Sequence, residues 1–246
     1  MKTIYVTVGM GLFLYLPLSA QWVTKPKVGI PLTTDGKPNL SAQAPRTADG
    51  KPDLSGVWET IRTFAVDIPF QPWAQSQANR DRDNLYQDNP GFRCLPPGPG
   101  RNVAKGFAKF IQTPELIVIL YDEGGGDFRQ VFLDGRRLVE DPNPTWRGYS
   151  VGRWEGDTLV VDTTGFNDRV WLNINGLSPH SETLHVIEKY RRLDFGHMEL
   201  QMTIDDPKTY TKPWTVTAIK ELRLEDDVLE YVCLENERDS SHIIRR

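Results

Sequence analysis

Basic charge is never concentrated anywhere in this sequence. Its 29 Lys and Arg are outnumbered by 33 Asp and Glu, the formal charge is -4 and the pI is about 5.6. Lacking a basic footprint, the chain has no nucleic acid among its expected partners. Familiar nucleotide and ester fingerprints are missing as well. There is no Gly-x-Ser-x-Gly elbow, no P-loop and no dinucleotide-binding glycine pattern, and the run Gly124-Gly125-Gly126 precedes a strand rather than a helix. Strand and helix patterns do not alternate, so a parallel sheet of βαβ units is excluded. The main apolar run, Ile4 to Leu18, falls short of the ~20 residues a spanning helix needs and is broken by Gly9, Gly11 and Pro17.

What the sequence does hold is ordinary globular material. It is 39% hydrophobic, 10% aromatic and 25% charged over 246 residues, which rules out disordered, collagen-like and coiled-coil chains. A chain of this length buries roughly 70% of its unfolded surface, enough for a sizeable core.

The first twenty residues carry Lys2, the apolar run and a small-residue Leu18-Ser19-Ala20 end, which together read as a cleaved secretory signal peptide. The expected location is the periplasm or the exterior, without a stable membrane anchor, and no Cys follows the cleavage site to take a lipid. In an exported chain the only two cysteines, Cys94 and Cys233, are expected to pair as a disulfide, the alternative being two separate buried thiols. Such a bridge would close a long loop between an early connection and the last strand, and would stabilise by up to roughly 5 kcal/mol.

Residues 21–52 are rich in Pro, Gly, Lys and Thr and read as an extended arm. They contain an echo, TTDGKPNLS at 33–41 and TADGKPDLS at 47–55, too short for a repeat architecture. A single β-barrel domain is expected over 53–240, with 241–246 as a tail. Strand patterns run over Val57 to Thr63, Leu116 to Tyr121, Phe128 to Asp134, Tyr149 to Glu155, Thr158 to Thr164, Thr183 to Arg192, His197 to Asp205, Trp214 to Leu224 and Val228 to Glu235. Hairpin turns are expected at 123–127, 155–157, 194–196 and 225–227. Alternation is clearest at 197–205, where Met198, Leu200, Met202 and Ile204 share one face. Only Pro72 to Tyr86 reads as helix, placed to cover one end of the sheet. The fold class is therefore all-β: an antiparallel meander of 8–9 strands that removes its exposed edges by closing into a barrel.

Gly56-Val57-Trp58, opening the first strand, resembles the Gly-x-Trp signature of lipocalin-like (calycin) barrels, in which the Trp closes one end. DGKPDLSGVW at 49–58, VGRWEGDTLVVDTTGFNDRVW at 151–171, PHSETLHVIEKYRR at 179–192 and IDDPKTYTKPW at 204–214 are similar to a group of exported bacterial proteins of lipocalin-like type and of unassigned activity. The resemblance implies the barrel and export, and it carries over no catalytic residues.

Chemistry is expected in GFNDRVWLNINGLSPHSE, the longest connection within the meander, which would border the barrel mouth where such folds take ligands. His180 and Glu182, two residues apart after Pro179, would share one strand face, a carboxylate beside an imidazole suited to acid/base work, with Asp168 as a third candidate. The plainer reading makes His180 a loop cap and Glu182 a surface residue. Tyr149, Arg153, Trp171, Asn173, Asn175 and His185 are candidate substrate-binding residues, Arg153 through a pairing with Asp162 or Glu182, or as part of a solvated face. A metal at His180, Glu182 and His185 is not expected, because strand geometry turns His185 away and no H-E-x-x-H spacing is present. The leading expectation is an exported, cofactor-free acid/base enzyme, a hydrolase, lyase or isomerase, acting on a small molecule such as a glycoside or aromatic compound. The alternative is a non-catalytic carrier holding a hydrophobic or aromatic ligand in the barrel.

Overall fold

In β8 (His197–Asp205) the four residues Met198, Leu200, Met202 and Ile204 are completely shielded from solvent, while their neighbours along the strand stay at least partly accessible. The same period of two organises the remaining strands: β1 (Gly56–Thr63), β2 (Phe107–Gln112), β3 (Leu116–Tyr121), β4 (Phe128–Phe132), β5 (Tyr149–Glu155), β6 (Thr158–Thr164), β7 (His185–Arg192) and β9 (Trp214–Leu222). A computed structural model describes residues 29–103, 106–122, 127–169, 171–172, 179–230 and 232–233. The expected signal peptide, the start of the arm and the 241–246 tail lie outside the described residues.

The strands form a closed barrel in sequence order, β9 pairing back onto β1. Nine is an odd number, and a ring of strands that alternate in direction closes only if their number is even. One pair must therefore be parallel, and it is β4 with β5, aligned at Val131 with Ser150 and Phe132 with Val151. This corrects the expectation of a purely antiparallel meander. The parallel join requires the chain to travel from one end of the barrel to the other through 133–148, and Gly152 makes room for it. A Cβ at Gly152 would stand 2.6 Å from Leu133 Cδ2 and 2.9 Å from Val131 Cγ1.

Three further elements differ from expectation. The short FAKFIQ segment forms β2, its alternation confined to Ala108 and Phe110. The described part of 228–235 forms no strand, because β1 already pairs with β2 on one side and β9 on the other and leaves no edge to join. Helix α1 (Pro72–Asp83) stops short of Tyr86, where Leu85 and Tyr86 adopt positive φ. It docks beside the β8–β9 turn through Trp73 Nε1, which donates to the Lys208 carbonyl at 2.8 Å.

The arm is less extended than its composition implies. Both copies of the echo fold into the same turn: Gly36 N donates to Thr33 O and Asn39 N to Pro31 O in the first, Gly50 N to Thr47 O and Asp53 N to Pro45 O in the second. The arm then lies on the β7–β8 turn, with Gly196 N bonded to Leu40 O and Phe195 N to Ala42 O, both at 2.7 Å. Beneath it Trp58, fully buried, donates from Nε1 to Leu54 O at 2.9 Å. The Arg192 guanidinium sits 4.9 Å from the Trp58 ring centroid and donates to the carbonyls of Asp53, Asp194 and Phe195. This end of the barrel is shut, as the Gly-x-Trp resemblance implies. Cys94 and Cys233 are joined, Cα atoms 5.7 Å apart, so the bridge ties the β1–β2 connection to the chain beyond β9 rather than to a strand.

Candidate functional site

Inward positions of the described strands are mainly apolar; Thr60, Ser150 and Thr163 add hydroxyls, Arg192 lies at the closed end, and three charged exceptions deeper in the barrel keep the strand's phase. On β7 the buried series is Val186, Glu188, Tyr190 and Arg192, on β9 it is Trp214, Val216, Ala218, Lys220 and Leu222, and on β4 Arg129 precedes Val131. Two of the three exceptions meet: Arg129 Nη1 is 2.6 Å from Glu188 Oε2, with both side chains shielded from solvent. Glu188 Oε1 accepts from the Tyr190 hydroxyl at 2.7 Å and from Asn102 Nδ2 at 2.9 Å.

Asn102 reaches this cluster because the β1–β2 connection dips into the barrel. A 3-10 turn at Pro99–Asn102 buries Pro99, Gly100 and Asn102, and β1 holds it in place, Thr60 Oγ1 donating to Asn102 O at 3.4 Å and Thr63 Oγ1 to Val103 O. Arg147, paired with Asp127, donates to Gly98 O at 3.4 Å and stacks 4.1 Å from the Tyr121 ring. Lys220, the third exception, is 2% exposed and donates to Thr60 Oγ1 at 2.8 Å.

The electrostatics follow from burial. Desolvation opposes the Arg129 charge, but Glu188 outweighs it and raises the guanidinium well above its ordinary value. Burial and the Glu188 carboxylate hold the Tyr190 phenol well above its ordinary value, so it stays a hydrogen-bond donor. Burial lowers Lys220 to about 8, with Glu188 and Asp122 pulling it back toward the charged form. Arg129 Nε, Asn102 Oδ1 and Trp214 Nε1 are buried without a hydrogen-bond partner from the described residues. Each such atom costs about 1–3 kcal/mol unless something fills it.

The loop singled out from the sequence ends in a different arrangement from the one expected. Strand β7 begins at His185, so residues 181–184 form a turn and the two-residue period that would align His180 with Glu182 does not apply. His180 is buried, its Nδ1 donating to the Ser181 carbonyl at 3.0 Å and its ring edge-on to Phe166. Glu182 is exposed and bonded to Lys208, which holds its carboxyl below the ordinary range. The organiser here is Asp206, fully buried, which accepts from Ser181 N at 2.6 Å, Ser181 Oγ at 2.7 Å and Thr183 Oγ1 at 2.9 Å. Burial pushes Asp206 up, but these bonds overcome it and keep its carboxyl below the ordinary value.

The remaining expected residues that are described do not gather around the interior. Tyr149 and Arg153 are on the outer wall, because β5 turns Ser150 inward to share a 2.9 Å hydrogen bond with Thr163. There Arg153 bonds Asp162 at 2.5 Å and Glu155 at 2.9 Å, and His185 Nε2 lies 3.2 Å from Asp162, a solvated ladder. Asp168 is exposed and Trp171 half-buried beside the fully buried Leu172, while Asn173 and Asn175 lie outside the described residues. Among the described residues no three His, Cys, Asp or Glu side chains converge on a metal position, and no helix is long and apolar enough to cross a membrane.

No family model matches the chain, and no curated protein matches it. Among solved structures, the REP1-NXSQ fatty acid transporter is 12% identical over 70% of this chain and 96% of its own, with a TM-score of 0.37. A variant of the fluorescent protein UnaG is 10% identical over 69% of this chain and 96% of its own, with a TM-score of 0.35.

Proposed function

We propose that this chain is an exported, non-catalytic binding protein that holds a small molecule inside its barrel, an aromatic or apolar body carrying at least one polar group. The observation that supports this most is the set of orphaned polar atoms buried in the interior: Arg129 Nε, Asn102 Oδ1 and Trp214 Nε1. Two of them are donors and one is an acceptor, so a ligand offering both an acceptor and a donor gains hydrogen bonds the folded chain leaves unmade. The buried core, Phe110, Leu200, Met202 and Val216 among others, favours an apolar body. The acid/base reading draws less support, since the Glu182 carboxylate is engaged by Lys208 in solvent and His180 is packed against Phe166.

The test is a panel of small phenols, aromatic alcohols and aliphatic amides screened by tryptophan fluorescence and melting temperature, each compound then recovered and analysed. Saturable one-to-one binding with the compound returned unchanged is expected, weakened several-fold in Trp214→Phe, which removes the orphaned donor and keeps the ring. Turnover of the bound compound, or no binding across the panel, would overturn the proposal.

A further inference from the structure

Lys220 is the inward-facing charge that the cluster leaves aside. Period-two alternation in β9 turns it into the barrel between Ala218 and Leu222, where register sets it across from Met198 on β8 and Thr60 on β1. Its hydrogen bond from Nζ goes to a neutral hydroxyl, Thr60 Oγ1. Glu188 is the inward carboxylate of the described strands, and it is already taken by Arg129, Tyr190 and Asn102. A lysine held in an apolar interior with a hydroxyl for company favours its uncharged amine, and the uncharged amine is the nucleophile. The charged groups acting on it are Glu188 on β7 and Asp122 just beyond β3, and Glu188 in turn holds Arg129 on β4 and Tyr190 on β7.

We propose that Lys220 captures the carbonyl group of a small apolar aldehyde as an imine, making the barrel a covalent, reversible carrier for that class of ligand. The step needs no oxidant or reductant. The Nζ lone pair attacks the carbonyl carbon and the C=O π pair moves to oxygen. One N–H proton passes to that oxygen to give the carbinolamine, then the nitrogen lone pair forms C=N as the oxygen leaves with the second proton as water. Thr60 Oγ1, already bonded to Nζ, fixes the direction from which the amine presents its lone pair. Lowering of Lys220 to about 8 by burial supplies a large uncharged fraction at mildly alkaline pH. The proposal rests on the binding reading above.

The experiment uses the full-length chain with benzaldehyde and sodium cyanoborohydride at pH 8, the adducts being mapped by peptide mass spectrometry. Benzyl alcohol, the same body without a carbonyl, is titrated in parallel by tryptophan fluorescence. Lys220 is expected to be labelled about tenfold or more faster than Lys37 or Lys208, with benzyl alcohol as a competitor of that labelling. Lys220→Met should remove the fast adduct. Saturable benzyl alcohol binding with labelling confined to exposed lysines would overturn the imine and leave the binding reading standing. Neither binding nor selective labelling would overturn both.

Discussion

Arg129 and Glu188 meet at 2.6 Å across the barrel, one from β4 and the other from β7, with almost no solvent contact for either side chain. A buried pair of this kind adds little over a well-packed apolar pair, yet breaking it strands a charge. Arg129→Met is expected to lower the unfolding free energy by about 3–5 kcal/mol, read from urea denaturation. Adding Glu188→Gln to that variant should restore part of the loss, since a neutral amide still accepts from Tyr190 and Asn102. A double variant no more stable than Arg129→Met alone would show that the charge of Glu188 is not what the arginine neutralises.

Lys220 gives the protein an alkaline stability slope. Its folded-state value, about 8, lies below its ordinary 10.5, so between these limits the unfolded chain binds more protons and stability rises with pH. Below about 8 both states are charged and the dependence ends. Tyr190, raised well above its ordinary 10, works the other way at higher pH, because the unfolded chain releases that proton first. The window to read is therefore pH 8 to 10, where the unfolding free energy from urea denaturation is expected to climb in the parent by an amount on the order of 2–3 kcal/mol and to climb less in Lys220→Met. An unchanged slope in the variant would assign it to other groups.

The Cys94–Cys233 bridge joins two non-strand segments 139 residues apart in sequence. Reduction, or Cys94→Ser with Cys233→Ser, should lower the melting temperature, by up to about 5 kcal/mol of stability on the loop-entropy account, while the strand signal in circular dichroism persists below the transition. Loss of that signal at 25 °C would mean that the barrel requires the bridge to form.

His180 and Glu182 are expected to respond independently to substitution. Glu182→Gln removes one exposed ion pair with Lys208 and should change stability by less than about 1 kcal/mol. His180→Ala empties a buried position against Phe166 and should cost about 1–3 kcal/mol. Thermal denaturation of both variants and of the double decides it: strictly additive losses are expected, and a coupling above about 0.5 kcal/mol would restore the two as a functional pair.

Much of the architecture was readable because alternation and turn chemistry agree. β5, β6 and β8 occupy Tyr149–Glu155, Thr158–Thr164 and His197–Asp205, the bounds their patterns indicate. β2 was not readable, since FAKFIQ has only Ala108 and Phe110 to show its period. Nor was the parallel join, because direction is set by how a ring closes and leaves no local mark. The interior cluster, by contrast, was present in the pattern. Lys220, Glu188 and Arg129 each stand in phase with apolar neighbours, and a charge in phase is a buried charge. The two-residue spacing of His180 and Glu182 has meaning only inside a strand, and β7 begins later, at His185.

Unrolled from β5 through β9 and on from β1 to β4, the sheet is one continuous antiparallel ribbon, and its two margins are joined by the clasp at Val131–Ser150 and Phe132–Val151. Every other seam is aligned over at least four residues, the clasp over two. Both ends of the cylinder carry stoppers, Trp58 under Arg192 at one and the edge-on rings of Tyr210 and Trp214 at the other. The clasp is therefore the shortest seam of the wall, and local opening of the barrel is expected there first, leaving the rest of the ribbon intact. Arg129 stands on one of those margins, so its ion pair with Glu188 also ties the β4 margin to β7 across the barrel.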